Sequence, residues 1–217
     1  MKRIGLFGGS FNPIHNGHLH LAESVYQALQ LDSVLLMPAG EAPHKSSAAY
    51  ASGAHRYAMC RLAAKKRPWL TVSDLEIKKP GRSYTVETLR ILRTQQPDTA
   101  WTLLLGSDML LTFDKWYCWQ EILQYAELCA VSREENDLPI LQDAADRLKE
   151  QVSGAKVTVL SVPAFPVSST QIRENLKNHA DCSCLLPENV VQYIMKNGLY
   201  SGGGGSEQGD GYTKLHQ

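Results

Sequence analysis

Apolar and polar residues along this chain follow two alternating periods, and the switches between them mark its elements. The run Ile4-Gly5-Leu6-Phe7 is short and continuous, as a buried strand requires. The stretch 19–29 instead places Ala22, Val25, Tyr26 and Leu29 at helical spacing. Further short apolar runs predict strands at 33–37, 69–72, 101–105, 127–132 and 156–160. Helical spacing recurs at 54–67, where His55, Met59, Leu62, Ala63 and Lys66 trace one face. It returns after Ser83-Tyr84-Thr85, where Ser83 fits an N-cap and Val86, Leu89 and Leu92 form the inner face. More helices are predicted at 138–152, after Ser168 or Ser169 with Ile172 and Leu176 inward, and at 188–196, closed by Gly198. Strands alternating with helices predict an α/β fold: an open parallel sheet with right-handed crossovers and helices on both faces.

One junction concentrates chemistry. Between the first strand and the first helix stand Gly8-Gly9-Ser10-Phe11-Asn12-Pro13-Ile14-His15-Asn16-Gly17-His18. Gly8 and Gly9 lack side chains, so a ligand can approach the backbone and unusual dihedrals cost little. The N–H groups opening the helix at about Gly17 favour an anion. His15 and His18 sit at that positive end, and two imidazoles beside a phosphate-sized site point to phosphoryl or nucleotidyl transfer. Two histidines can also simply cap a helix. The dinucleotide fingerprint G-x-G-x-x-G is absent, and so is the phosphate-binding G-x-x-x-x-G-K-[ST] loop.

Other segments carry candidate ligands. Strand 101–105 ends in Gly106-Ser107-Asp108, where glycine permits approach and an acid can bind ribose hydroxyls or a magnesium-bound water. Phe113, Trp116, Tyr117 and Trp119 follow; such a cluster is usually core, yet an aromatic face also suits a flat ring. Ser168, Ser169 and Thr170 open a helix and offer hydroxyls, and Arg173 adds a planar fork for phosphate oxygens. His44 and Lys45 lie in a polar loop over the carboxyl end of the sheet.

Composition narrows the picture. With 217 residues, 43% of them hydrophobic, residues 1–200 suffice for one domain with a core. Lys+Arg and Asp+Glu are equal at 22 each, so nothing global argues for nucleic acid or an acidic membrane as partner. Met1-Lys2-Arg3-Ile4 enters a strand without a signal peptide, and no apolar run spans a bilayer, so the cytoplasm is expected. Five cysteines, an odd count, predict free thiols, and Cys182-Ser183-Cys184 alone marks no metal site. The glycine-rich stretch 201–217 reads as a linker outside the fold.

The run G-G-S-F-N-P-I-H-N-G-H-L resembles the first signature, [HT]-x-G-H, of the nucleotidylyltransferase superfamily, in particular its bacterial nicotinate-mononucleotide adenylyltransferases. V-S-S-T-Q-I-R at 167–173 resembles the same family's triphosphate motif, and the likeness covers about residues 2–200. The resemblance implies a Rossmann-like sheet in strand order 3-2-1-4-5-6. It implies adenylyl transfer from ATP to nicotinate mononucleotide, giving nicotinic acid adenine dinucleotide and pyrophosphate. Mg²⁺ would arrive on the ATP phosphates, held largely by water. His15 and His18 would be catalytic, with ATP also meeting Gly8, Gly9, Ser10, Phe11, Gly106, Asp108, Ser168, Ser169, Thr170 and Arg173. His44, Lys45, Thr85, Trp116, Tyr117 and Arg133 would serve the substrate, although Arg133-Glu134-Glu135 departs from the family's Arg-Pro-Gly. Related readings are a nicotinamide-mononucleotide or phosphopantetheine adenylyltransferase and a silent nucleotide-binding module; a homo-oligomer is compatible with all of them.

Overall fold

The computed structural model describes residues 1–40, 50–132, 137–163 and 165–201. Its sheet is built from β1 (Lys2–Gly9), β2 (Ser33–Pro38), β3 (Leu70–Val72), β4 (Thr99–Gly106), β5 (Ala126–Ser132) and β6 (Val157–Ser161). All pairings are parallel and the spatial order is β3-β2-β1-β4-β5-β6, as the resemblance implied. The order reverses between β1 and β4, so a crevice opens at the carboxyl ends of those two strands.

Side chains leave alternate faces of each strand, so the sheet feeds two cores. Phe7, Val34, Leu36 and Leu104 join one, beneath α1 (Asn16–Ala28) and α2 (Gly53–Ala64). Leu6, Met37, Trp101, Leu103 and Leu105 join the other. That second layer is closed by α4 (Thr85–Gln95), α6 (Trp119–Tyr125) and α7 (Leu138–Gln151). The first is completed by α8 (Ser169–Lys177) and α9 (Glu188–Lys196), through Ile172, Val190 and Ile194. Gly198 ends α9 with a positive φ of 58°; its N–H bonds to Met195 O while Leu199 N–H reaches Ile194 O, a double closure of the helix end.

Three sequence expectations shift. The inward face of α2 is Arg56, Met59, Cys60, Ala63 and Ala64; Lys66 lies beyond the helix and is exposed. The reason is that Arg56 turns inward, which a polar-outside reading does not anticipate. Ser83 is not the N-cap of α4: Tyr84 is, without a side-chain cap bond. Two short helices, α3 (Leu75–Lys78) and α5 (Ser107–Leu111), went unpredicted, as did the separate α6 and a 3₁₀ turn at Phe113–Lys115.

Candidate active site

The signature turn is the floor of the site. Gly8 and Gly9 remain in extended strand, with no positive φ. A Cβ added at Gly8 would meet nothing within 4 Å, because it would project into the crevice. The open space is at Gly8 alone, since a Cβ at Gly9 would lie 3.1 Å from the Phe11 ring, and the unusual dihedral falls on neither glycine: the left-handed residue is Phe11, at φ 47°. Phe11 tolerates this because its ring is buried edge-on against Phe7 and His18, at 5.4 and 5.1 Å between centroids.

His15 and His18 together cap the start of α1; neither lines the cleft at the carboxyl ends of β1 and β4, and His15 instead borders a small cavity with Gly17 and Val167. His15 is the N-cap of α1: His18 N–H donates to His15 Nδ1, and His15 N–H donates to His18 Nδ1, each at 3.3 Å. The rings stack 3.6 Å apart at 26°. An Nδ1 that accepts a backbone N–H carries no proton, so in each ring the proton sits on Nε2. The capping reading of this pair is thus the one observed, and the cap fixes which ring nitrogen is left as a donor. His15 is 4% exposed, and His18 is half-buried.

The second signature docks on the first. Ser168 caps α8 by accepting from Gln171 N–H at 3.2 Å. Ser169 Oγ donates to Pro13 O at 3.0 Å, and Arg173 Nη1 donates to Asn12 O at 2.8 Å while Nη2 reaches Thr170 Oγ1. Val167 packs so closely that a Cβ at Gly17 would lie 2.8 Å from its Cγ1. The openings of α1 and α8 therefore converge, and two sets of helix-end N–H groups share one neighbourhood.

A cleft of about 460 Å³ lies at the carboxyl ends of β1 and β4. Gly8, Gly9 and Ser10 line one side, Thr85 and Trp116 the other. Trp116 is half-buried and tilted against Phe113, with 5.2 Å between rings. Tyr84 spends no side chain on capping α4, so the N–H groups that open this helix beside Thr85 are not consumed by one. Glu76 and Arg82 also line the cleft. Burial pushes the Glu76 carboxyl above the usual range, partly offset by the Thr88 hydroxyl that donates to it at 2.7 Å. Tyr117 does not join this lining: it is 57% exposed and rests on Tyr84 at the rim. Asp108 is exposed in the first turn of α5 and folds back over Gly106, its Oδ1 about 3.0 Å from where a Cβ there would sit. His44, Lys45 and Arg133 lie outside the described residues.

A family model described as cytidylyltransferase-like matches residues 6–175. The chain belongs to the cytidylyltransferase-like family. Within that family, a probable nicotinate-nucleotide adenylyltransferase of Synechococcus sp. is 39% identical over 201 residues, 92% of this chain and 95% of that protein. One from Lactococcus lactis subsp. lactis is 38% identical over the same shares. The recognition made from the two signatures is borne out. Among solved structures, Plasmodium falciparum nicotinic acid mononucleotide adenylyltransferase complexed with NaAD matches with a TM-score of 0.74 at 18% identity, over 92% of this chain and 98% of that one. The same enzyme complexed with APC matches at 0.72 and 17% identity, over the same shares. At that identity these two support the cytidylyltransferase-like fold alone. Sequence reading missed three residues around the family's signature turn: Arg56, Asn12 as an acceptor, and Tyr200. Tyr200 OH and Ala51 N–H both donate to Asn12 Oδ1, at 2.7 and 3.0 Å. No local pattern marks such long-range pairs; a buried arginine on a helix's apolar face was the one available signal.

Proposed function

We propose that the chain is an adenylyltransferase joining ATP to nicotinate mononucleotide, giving nicotinic acid adenine dinucleotide and pyrophosphate. The observation that carries the reading is the docking of α8 on the Asn12–Pro13 turn, which joins the two signature segments to each other beyond the carboxyl end of β1. The relatives' names supply the mononucleotide.

The chemistry asks little of a general base. A phosphate monoester has its second pKa near about 6, so the mononucleotide is largely a dianion at neutral pH. One of its oxygens attacks the α-phosphorus, a P–O bond forms, and the bond to the bridging oxygen of the β-phosphate breaks. The electron pair leaves with pyrophosphate. What the protein must supply is alignment and donors for developing charge. The Nε2–H groups of His18 and His15 serve the α-phosphate and its neighbours. The N–H groups opening α8, with Ser168, Thr170 and Arg173, serve the β- and γ-phosphates. Arg173 would keep its bond to Asn12 O and turn its remaining N–H groups to the anion.

Among the described residues no group of three or more His, Cys, Asp or Glu side chains is placed to hold a metal. In this reading the ion would be carried in on phosphate oxygens and water. Mg²⁺ bound this way would supply charge neutralisation for the triphosphate. Thr85, the N–H groups opening α4 and the face of Trp116 would take the nicotinate ring, with the substrate carboxylate at the helix opening. No helix among the described residues is long and apolar enough to cross a membrane.

Pyrophosphate release with ATP and a panel of mononucleotides tests the assignment. Nicotinate mononucleotide should be the preferred acceptor, because a carboxylate offers only acceptors to these N–H and hydroxyl donors, whereas an amide sets its NH₂ against them. The mismatch corresponds to roughly tenfold to a hundredfold in kcat/KM. Equal efficiencies for acid and amide would defeat the acid-specific part. Release only with phosphopantetheine would replace the substrate.

A further inference from the structure

Arg56, on α2, is 1% exposed. Among the described residues it is the only Lys, Arg, Asp or Glu that is fully buried, and no carboxylate there forms an ion pair with it. Burying a guanidinium is costly unless its donors are matched. Here they meet three backbone carbonyls from three segments. Nη1 donates to Ser10 O at 2.8 Å, Nη2 to Gly40 O at 3.0 Å, and Nε to Ala51 O at 3.1 Å. Its Cζ lies 5.0 Å from the centre of the Tyr50 ring.

The three carbonyls are not arbitrary core positions. Ser10 belongs to the signature turn, and Gly40 follows β2; both line the cleft that also holds Thr85 and Trp116. Ala51 precedes α2, and its own N–H returns to Asn12 Oδ1 in the signature turn. One planar group thus joins the segments that continue β1 and β2 at the cleft's edge, just beyond the last ladder bond from Ala39 N–H to Gly9 O at 2.9 Å. α2 can bring it there because Gly53 has no side chain: a Cβ at that position would lie 3.0 Å from Ile77 and 3.7 Å from Nη2 of Arg56. A lysine ammonium, whose donors fan from a single nitrogen, cannot reach three carbonyls arranged around a guanidinium plane.

We propose that Arg56 is a positioning residue for the mononucleotide end of the cleft. Its guanidinium fixes the spacing between the Ser10 turn and the Gly40 end of β2, and so the width offered to the acceptor substrate. The proposal rests on the assignment of this cleft to the mononucleotide. A purely structural arginine would affect melting temperature and active fraction; a positioning one must also separate the two substrates.

The test compares wild type, R56K and R56A in the dinucleotide-forming assay, each substrate varied in turn, with melting temperatures alongside. R56K should raise KM for the mononucleotide about tenfold, since charge is kept but the three-way span is lost. KM for ATP should move by less than about threefold. Millimolar guanidinium should restore part of the mononucleotide KM in R56A and leave wild type unchanged. Overturning results are an R56K enzyme with wild-type constants, equal rises in both KM values, or loss of kcat alone in step with lowered melting temperature. Failure to recover either variant folded would assign Arg56 to folding and equally overturn the proposal. Absence of dinucleotide with the wild type would sink the functional assignment instead, and so keeps the two failures apart.

Discussion

The nitrogen that carries a proton is decided by a helix cap. Because Nδ1 of His15 and of His18 each accept a backbone N–H, the transferable consequence is a pair of Nε2 donors held rigidly at the opening of α1. His18→Ala removes one of these and should lower kcat by about 10²–10³ with little effect on ATP binding, as loss of one transition-state donor does. Steady-state kinetics check this, and a kcat within a few-fold of wild type would remove His18 from the chemistry. Trp116→Ala should raise KM for acid and amide mononucleotides alike, because ring stacking does not distinguish them. A change in the acid-to-amide ratio would contradict that role. At this scale the histidines, the serines of α8 and Arg173 were legible, since each sits in a contiguous motif with a local mechanism. Arg56 and Asn12 were not: their partners lie 46 and 188 residues away in the chain, and no local spacing encodes them.

Among elements, α8 and the segment leading into it join the two signatures by packing on the turn that opens α1. Gly17→Ala would press a methyl against Val167 Cγ1 at 2.8 Å and His15 Nδ1 at 3.1 Å. Overpacking of this kind costs about 1–3 kcal/mol, and here it also pushes α8 from the signature turn. Both melting temperature and kcat should fall; an unchanged kcat would mean that the close approach of Val167 to the start of α1 does not matter. A different pair, α4 and α6, is joined by Arg90, whose Nε and Nη2 grip both oxygens of Glu121 while Tyr125 OH donates to Oε1 at 2.6 Å. The Arg90 and Tyr125 hydrogen bonds hold the Glu121 carboxyl down to about 2. A depressed carboxyl stabilises above its unfolded value, near about 4.3, and loses that stabilisation as pH falls toward the folded value. The difference in melting temperature between wild type and Glu121→Gln should therefore be constant at neutral pH and shrink below about pH 4. Melting curves from neutral to acid pH check it; a gap that widened on acidification would contradict the sign. The long elements were visible in sequence because each offers several turns of periodicity. The four residues of α3 and the five of α5 offer too few positions for any period, and they follow strand ends where turn signals dominate.

At the scale of the whole molecule, the far end of the described chain returns to the first turn. Tyr200 is buried at the far end, and its hydroxyl bonds to Asn12 in the first turn. Tyr200→Phe removes one donor from a buried acceptor that keeps Ala51 N–H, at a cost of about 1 kcal/mol, or roughly 2–4 °C in melting temperature. A larger loss of activity than of stability would show that the chain's end also tunes the site. The sheet order could be read in advance because it came with the signatures rather than with the strands: apolar runs name strands but not their neighbours. In the proposed reaction the α-phosphate of ATP, as AMP, is transferred to nicotinate mononucleotide. The most direct measurement follows phosphate label through the reaction with ATP marked at either the α or the γ position. Transfer of adenylate predicts α-label in the dinucleotide and γ-label in pyrophosphate. Label from the γ position on the mononucleotide, or inorganic phosphate as the released product, would contradict it.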